Sequence, residues 1–308
     1  MDSGSSDELV SLHTDLSMDV PVGGLEAELR LSGGTSGFQS GDDAVASLGY
    51  TESKLTQVFK GKLDAVARGM SEVRLSANTS AWRLVNERIN RLYEKQTAGQ
   101  IVSDLAQDAG VATAKVEDGI SFPSYVIVDS KNSWEHISEL ARRCGFDAYM
   151  TADDELAFRA YASSKARVFE YGVDVIDIRG RDAPSLYSAV RVLGESPSST
   201  KGSDTWHWLT KQEVAGTAGK DKELVMVDPS VRDKDTAGKV AQAVLDAIGR
   251  SLDVRIVTPG EPDVQLNDTV RVKGMEDTNL NCDYQVRGVE HSFSKGQGFK
   301  TMLRCRSV

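Results

Sequence analysis

The sequence predicts a mainly β chain with an α/β insertion, an α+β arrangement. Three observations carry that reading. Apolar and polar residues alternate near the start, two well-capped helical stripes stand in the middle, and strand-like runs return over the remainder. The 308 residues suffice for a sizeable core and for three regions. Residues 1–85 read as a first β-barrel, 86–165 as an α/β module and 166–308 as a second β-barrel with one helix. Many strands with few helices fit barrels better than a doubly wound sheet.

In the first region Leu25, Ala27, Leu29 and Leu31 alternate with Glu26, Glu28, Arg30 and Ser32, the period of a half-buried strand. The glycine-rich run 33–37 reads as a loop or hairpin tip. Further strands are expected over 44–48, 55–60 and 73–77, separated by Gly41-Asp42-Asp43 and by Gly69.

The middle region changes character. Thr97 and Gln100 form a capping box ahead of Ile101, Leu105 and Ala109, and Gly110 stands where a helix C-terminus favours a left-handed residue. A helix over 98–109 follows. A second helix starts at Ser133, carries Ile137, Leu140, Ala141 and Cys144, and closes at Gly145. A strand over 125–129 lies between them. A hairpin over 146–150 and 156–161, turning at Asp153-Asp154, completes the module.

The last region returns to strands. The run 173–178 changes apolar phase between Val175 and Ile176, which predicts a bulged strand. Strands are also expected over 190–193, 224–227, 252–257, 270–273, 283–293 and 299–306, with a turn at Asn267-Asp268. One helix, 236–248, presents Ala237, Val240, Ala241, Val244, Leu245 and Ile248 and ends at Gly249. The stretch 195–204 reads as an exposed loop.

Charge and motifs exclude several function classes. The formal net charge is −10, and the longest basic clusters are pairs such as Arg142-Arg143, which argues against specific nucleic-acid binding. No apolar run reaches bilayer-spanning length, and the polar, acidic residues Met1 to Glu8 carry no secretory signal, so assembly in the cytoplasm is expected. Cys144, Cys282 and Cys305 lack metal-ligand spacing and read as small apolar core residues in a reducing compartment. There is no phosphate-binding loop, GxSxG elbow, HExxH or dinucleotide fingerprint. No cofactor and no metal site are expected.

Three features of the sequence carry residue types used in chemistry or ligand binding. His136, in the first turn of the second helix, reads as a general base or, more plainly, as a surface or capping residue. Asp42-Asp43 and Asp153-Asp154 present adjacent acids of the kind glycoside cleavage uses, but neighbours on a strand point to opposite faces. Trp206-His207-Trp208 places both tryptophans on one face of a strand. Trp206 and Trp208 are therefore candidate interface anchors, with a ligand-stacking platform as the alternative. No residue is assigned a catalytic role, and an enzyme is not expected.

An ordered series of segments resembles the baseplate hub family of contractile tails, which includes phage late control gene D proteins and the hub part of type VI secretion spike proteins. The segment from Arg91-Leu92-Tyr93 through Thr97-Ala98 leads into Ile101-Val102 and ends at Gly110-Val111. Asn132-Ser133-Trp134 then leads into Leu140-Ala141 and Cys144-Gly145-Phe146, and Leu156-Ala157-Phe158 resembles the closing strand. Upstream, 43–50 with Val58-Phe59-Lys60-Gly61 is similar to the family's paired strands, as is Gln265 to Val270 downstream. No single segment is specific; the order, spanning roughly 20–305, carries the resemblance.

The resemblance implies two tail-tube-like barrels joined by the α/β module, and a homotrimeric ring. Such a ring matches the sixfold tail tube to the threefold spike. It implies hexameric tail-tube or tube-initiation proteins, a trimeric spike and other baseplate proteins as partners, without membrane insertion. The expected location is the baseplate of a virion or contractile particle assembled in a bacterial or archaeal cytoplasm. No needle repeat follows the last hub strand, so the spike is expected to be a separate polypeptide. The alternatives are a tube-initiation protein lacking the module, a baseplate-borne wall-degrading enzyme, and a carbohydrate-binding module using Trp206 and Trp208.

Overall fold

The structure, a computed structural model, describes residues 8–33, 37–51, 54–163, 166–194 and 214–308. The first region forms five antiparallel strands: β1 (Leu9–Ser17), β2 (Gly24–Arg30), β3 (Asp43–Thr51), β4 (Lys54–Arg68) and β5 (Glu72–Asn78). A short helix, α1 (Ala81–Asn86), leads out of them.

The middle region is β6 (Arg91–Thr97), α2 (Ala98–Asp108), β7 (Thr113–Val116), β8 (Ser121–Ile127), α3 (Ser133–Cys144), β9 (Phe146–Met150) and β10 (Leu156–Ala160). Both helix starts are capping boxes. The Thr97 hydroxyl accepts from the Gln100 N–H while the Gln100 side chain accepts from the Thr97 N–H, and Asn132 and Glu135 exchange the same pair of bonds. Gly110 (φ 65°) and Gly145 (φ 68°) end these helices in the left-handed region, as the sequence predicts.

The last region holds β11 (Arg167–Glu170), β12 (Asp177–Asp182), β13 (Ala189–Gly194), β14 (Val214–Gly219), β15 (Glu223–Val227), α4 (Lys234–Gly249), β16 (Leu252–Pro259), β17 (Thr269–Lys273), β18 (Asp283–Ser294) and β19 (Gly298–Ser307). The bulged strand expected over 173–178 is not formed. Gly172 (φ 82°) turns the chain there, Val173 is exposed, and the strand begins only at Asp177.

The fold is mainly β. The first and last regions share one eleven-stranded sheet, in the order β12-β16-β19-β18-β1-β2-β5-β4-β3, with β17 on β18 and β11 on β17. The joint is β1, which pairs with β2 on one side and with β18 on the other, Asp15 lying opposite both Gly24 and Glu290. β3 and β12 stand at the two ends of that order, and no closed barrel is formed among the described residues. Three small sheets accompany it: β7-β10-β9, β14-β13-β15 and β6-β8.

Two cores result. The first gathers the stripes of α2, α3 and α4 against the small sheets, with Ile101, Leu105, Ile137 and Leu140 fully buried. The second lies on the long sheet around Phe59, Phe169, Tyr284 and Leu303. The β9–β10 hairpin serves both. Alternation along its strands sends Ala148, Met150, Leu156 and Phe158 into the first core, and Tyr149 and Ala157 into the second. Gly216 of β14 allows α4 to lie directly on its strand, because a Cβ there would stand 2.2 Å from the Gly238 nitrogen.

Candidate functional site

His136 and the two acid pairs are each tied into the fold by hydrogen bonds or ion pairs. His136 is buried rather than at the surface. Its Nε2 lies 3.1 Å from the Val128 carbonyl oxygen and 3.3 Å from the Val128 nitrogen, holding the end of β8 against α3. His291 is buried beside Thr301 (Nδ1 to Oγ1, 3.0 Å), and burial lowers its pKa to about 4, so the ring is neutral in the folded protein. His13 is exposed on β1.

The acid pairs are separated by their bonds. Asp43 forms an ion pair with Lys62 at 2.9 Å, whereas Asp42 accepts from the Gln39 N–H. Asp153 accepts from Gln57, while Asp154 turns the other way and accepts from the N–H and hydroxyl of Ser80 at the start of α1. Burial raises the pKa of Asp154 against the lowering effect of those bonds.

The cysteines are free, Cys305 buried and Cys144 and Cys282 partly so. Burial pushes the Cys144 thiol up to about 11, an unreactive thiol. Among the described residues no group of three or more His, Cys, Asp or Glu is placed to hold a metal ion. Trp206 and Trp208 lie outside the described residues.

What the fold does build is a hydrogen-bonded joint between module and sheet. Arg287 of β18 donates to Asp147 of β9 at 2.9 Å and to Asp19 at 3.1 Å, and Gln285 donates to Asp147 at 2.6 Å. A second clamp ties α3 to the segment before α4, Arg143 Nε lying 2.6 Å from Asp228. Burial works to raise the Asp228 pKa, yet its bonds to Arg143 and Ser230 outweigh it and hold the carboxyl below its usual range. The Arg143 guanidinium also lies over the Tyr125 ring, 5.6 Å from its centre. These groups escaped sequence reasoning because the partners lie far apart along the chain, 140 residues for Arg287–Asp147 and 85 for Arg143–Asp228.

Elsewhere on the molecule, strand edges coincide with exposed apolar side chains. At one end of the long sheet stand Val45 and Tyr50 of β3 with Leu55 of β4. On the branch off β18, the outer strand β11 exposes Val168, with Tyr171, Val173 and Ile176 beyond it. Leu92 and Val126 face each other across β6 and β8, and both are exposed. The edge strand β15 exposes Val225 and Val227. Unpaired backbone edges bearing apolar groups are association surfaces. A sequence signal existed: Val45 lies on the opposite phase of β3 from the buried Ala46 and Leu48.

Among the described residues no helix is long and apolar enough to cross a membrane. No family model matches the sequence, and no curated protein matches it. Solved structures do match. The 43 kDa tail protein of prophage MuSo2 from Shewanella oneidensis superposes with a TM-score of 0.70 at 16% identity, over 96% of this chain and 93% of that one. A tail protein from Neisseria meningitidis MC58 gives 0.72 at 14% identity, over 97% and 92%. The E. coli c3393 protein, a component of the type VI secretion system with structural similarity to T4 tail proteins gp27 and gp5, gives 0.60 at 9% identity, over 98% and 74%. Over nearly its whole length, this chain has the fold of phage tail proteins.

Proposed function

We propose that the chain is a structural baseplate hub subunit of a contractile tail or injection system, without chemistry of its own. Three copies form a ring that adapts a sixfold tail tube to a threefold spike. The observation that supports this most is the likeness in fold to two phage tail proteins, which spans more than nine-tenths of this chain and of each of theirs. The helix pair α2 and α3 favours the hub over a tube-initiation protein, which would lack the module.

On this reading each chain contributes two tube-like units, one from β1–β5 and one from β11, β12 and β16–β19. Six units then surround the axis of the trimer, facing a hexameric tube on one side and a trimeric spike on the other. The apolar strand edges are where such a ring meets itself and its neighbours. Trp206 and Trp208 are assigned to these contacts as interface anchors. The assembled ring belongs to the baseplate of a virion or contractile particle built in a prokaryotic cytoplasm.

The test is the mass and symmetry of the assembly. Native mass spectrometry and electron microscopy of the purified protein, alone and with tube and spike proteins, are expected to show a threefold ring. A chain that stays monomeric with both partners present overturns the reading. Replacing Trp206 and Trp208 with Ala is expected to weaken the ring about tenfold or more, given the usual cost of losing aromatic anchors.

A further inference from the structure

A basic concave surface lies where the three regions of this acidic chain meet. An open cleft of about 640 Å³ is lined by the end of α3, the outer face of α4, the start of β9 and the large sheet. Six cationic side chains line it: Arg142, Arg143, Lys239, Arg250, Arg287 and Arg306. Only two acids do, Asp147 and Asp246, in a protein whose formal net charge is −10.

Both acids are already engaged. Asp147 holds Arg287 and Gln285, and Asp246 accepts from Gln242 at 2.7 Å. Three of the cations are likewise engaged: Arg143 by Asp228, Arg287 by Asp147 and Asp19, and Arg306 by Asp253. The other three are not. Arg142 and Lys239 are exposed, Arg250 rests over the Tyr161 ring and bonds Gln285, and none of them has an ion-pair partner among the described residues. Arg287 adds a second observation, because its Nε is buried and has no hydrogen-bond partner. Between the cations the accessible lining is small: Gly145, Ala243 and Ala247 carry no long side chain that would hold off a backbone.

We infer that this cleft docks an acidic peptide segment of a partner protein. Its carboxylates meet Arg142, Lys239 and Arg250, and its backbone and apolar groups lie on the small residues of α3 and α4. Carboxylates suit unpaired guanidinium and ammonium groups around a cleft with half-apolar walls. Nucleic acid is disfavoured, because a polyphosphate needs an extended basic track and a protein without a large acidic excess. The inference goes beyond the hub role and does not depend on it. Ring formation is read by mass and docking by binding, so either can fail alone.

The probe is a fluorescein-labelled peptide of about twelve residues, rich in Glu with interspersed Leu. Full-length protein is titrated against it by fluorescence anisotropy at roughly 50 mM and 300 mM salt, bracketing strong and weak screening. The peptide is expected to bind at low salt and to weaken at high salt. The pair Arg142→Glu with Lys239→Glu, and the neutral pair Arg142→Gln with Lys239→Gln, are expected to lose binding about tenfold or more. A control pair on the β14–β15 turn, Lys220→Glu with Lys222→Glu, should leave it unchanged, and unaltered melting temperatures show that all variants fold. Lack of binding at low salt, equal binding by the cleft and control variants, or tighter binding of a DNA duplex of similar length would each overturn the inference.

Discussion

The α/β module and the long sheet are built from contacts of opposite range. The helices of the module begin on bonds between residues three apart, Thr97 with Gln100 and Asn132 with Glu135. The long sheet rests on β1 meeting β18, with Asp15 opposite Glu290. Contacts of the first kind form as soon as a few residues are in place, whereas those of the second wait on closure of a very long loop. The two regions are nevertheless not independent, because the β9–β10 hairpin buries one face in each core and Asp147 is locked to Arg287. The difference teaches that the hairpin is the mechanical joint of the molecule.

The strongest way to break this comparison is to empty each core in turn. Phe59→Ala in the long sheet is expected to cost about 3–5 kcal/mol, and Leu140→Ala in the module about 2–5 kcal/mol. With a shared hairpin, each should move one common unfolding transition in denaturant, monitored by circular dichroism and tryptophan fluorescence. Two separated transitions would show that the joint does not couple the regions.

Cutting the joint comes next. Asp147→Ala leaves a mostly buried Arg287 with only Asp19, which is 58% exposed, and is expected to cost about 3 kcal/mol. Asp19→Ala removes the exposed partner and should cost less than about 1 kcal/mol. Denaturant midpoints that reversed this order would place the clamp elsewhere.

A pH titration sharpens the sheet side alone. Burial depresses the His291 pKa from 6.5 to about 4. The folded state therefore binds fewer protons than the unfolded one between those values. Its contribution is complete above pH 6.5 and is lost as the pH falls through 4, by roughly 3 kcal/mol in total. His291→Gln is expected to flatten the stability profile in that window. A slope that survives the substitution assigns the loss to other groups.

The smallest effect belongs to the caps. Thr97→Ala and Asn132→Ala are each expected to cost about 1 kcal/mol. Amide exchange should rise first in α2 and α3 and leave β18 and β19 protected. Uniform loss of protection would mean that the module does not open by itself.

How much of this was legible in the sequence follows the same division. The capping boxes, the stripes of α2, α3 and α4, and the strands β2, β5, β18 and β19 were readable because each signal lies within one turn or one pleat. β14 (Val214–Gly219) was not, because its sequence VAGTAG carries little strand propensity; its small residues serve the close approach of α4. β12 (Asp177–Asp182) is polar because it is an edge, and the apolar run just before it lies in a turn. β1 carries a strand signal as well, since Val10, Leu12, Thr14 and Leu16 alternate with polar residues. The clamp of Asp147, Arg287 and Asp19 had no local signature. The cleft charges were visible only as Arg142-Arg143, a pair of which one member is spent on Asp228.

The place of β1 between β2 and β18 has a consequence during synthesis. The strand that will occupy its second edge is encoded about 275 residues later, as Asp15 opposite Glu290 shows. At ~5–20 residues per second, translation leaves that edge uncovered for roughly a quarter of a minute to a minute. Throughout that interval the nascent chain carries an open strand beside other nascent chains on the same message. An acidic excess, which repels like chains, is suited to keeping those edges apart until β18 arrives.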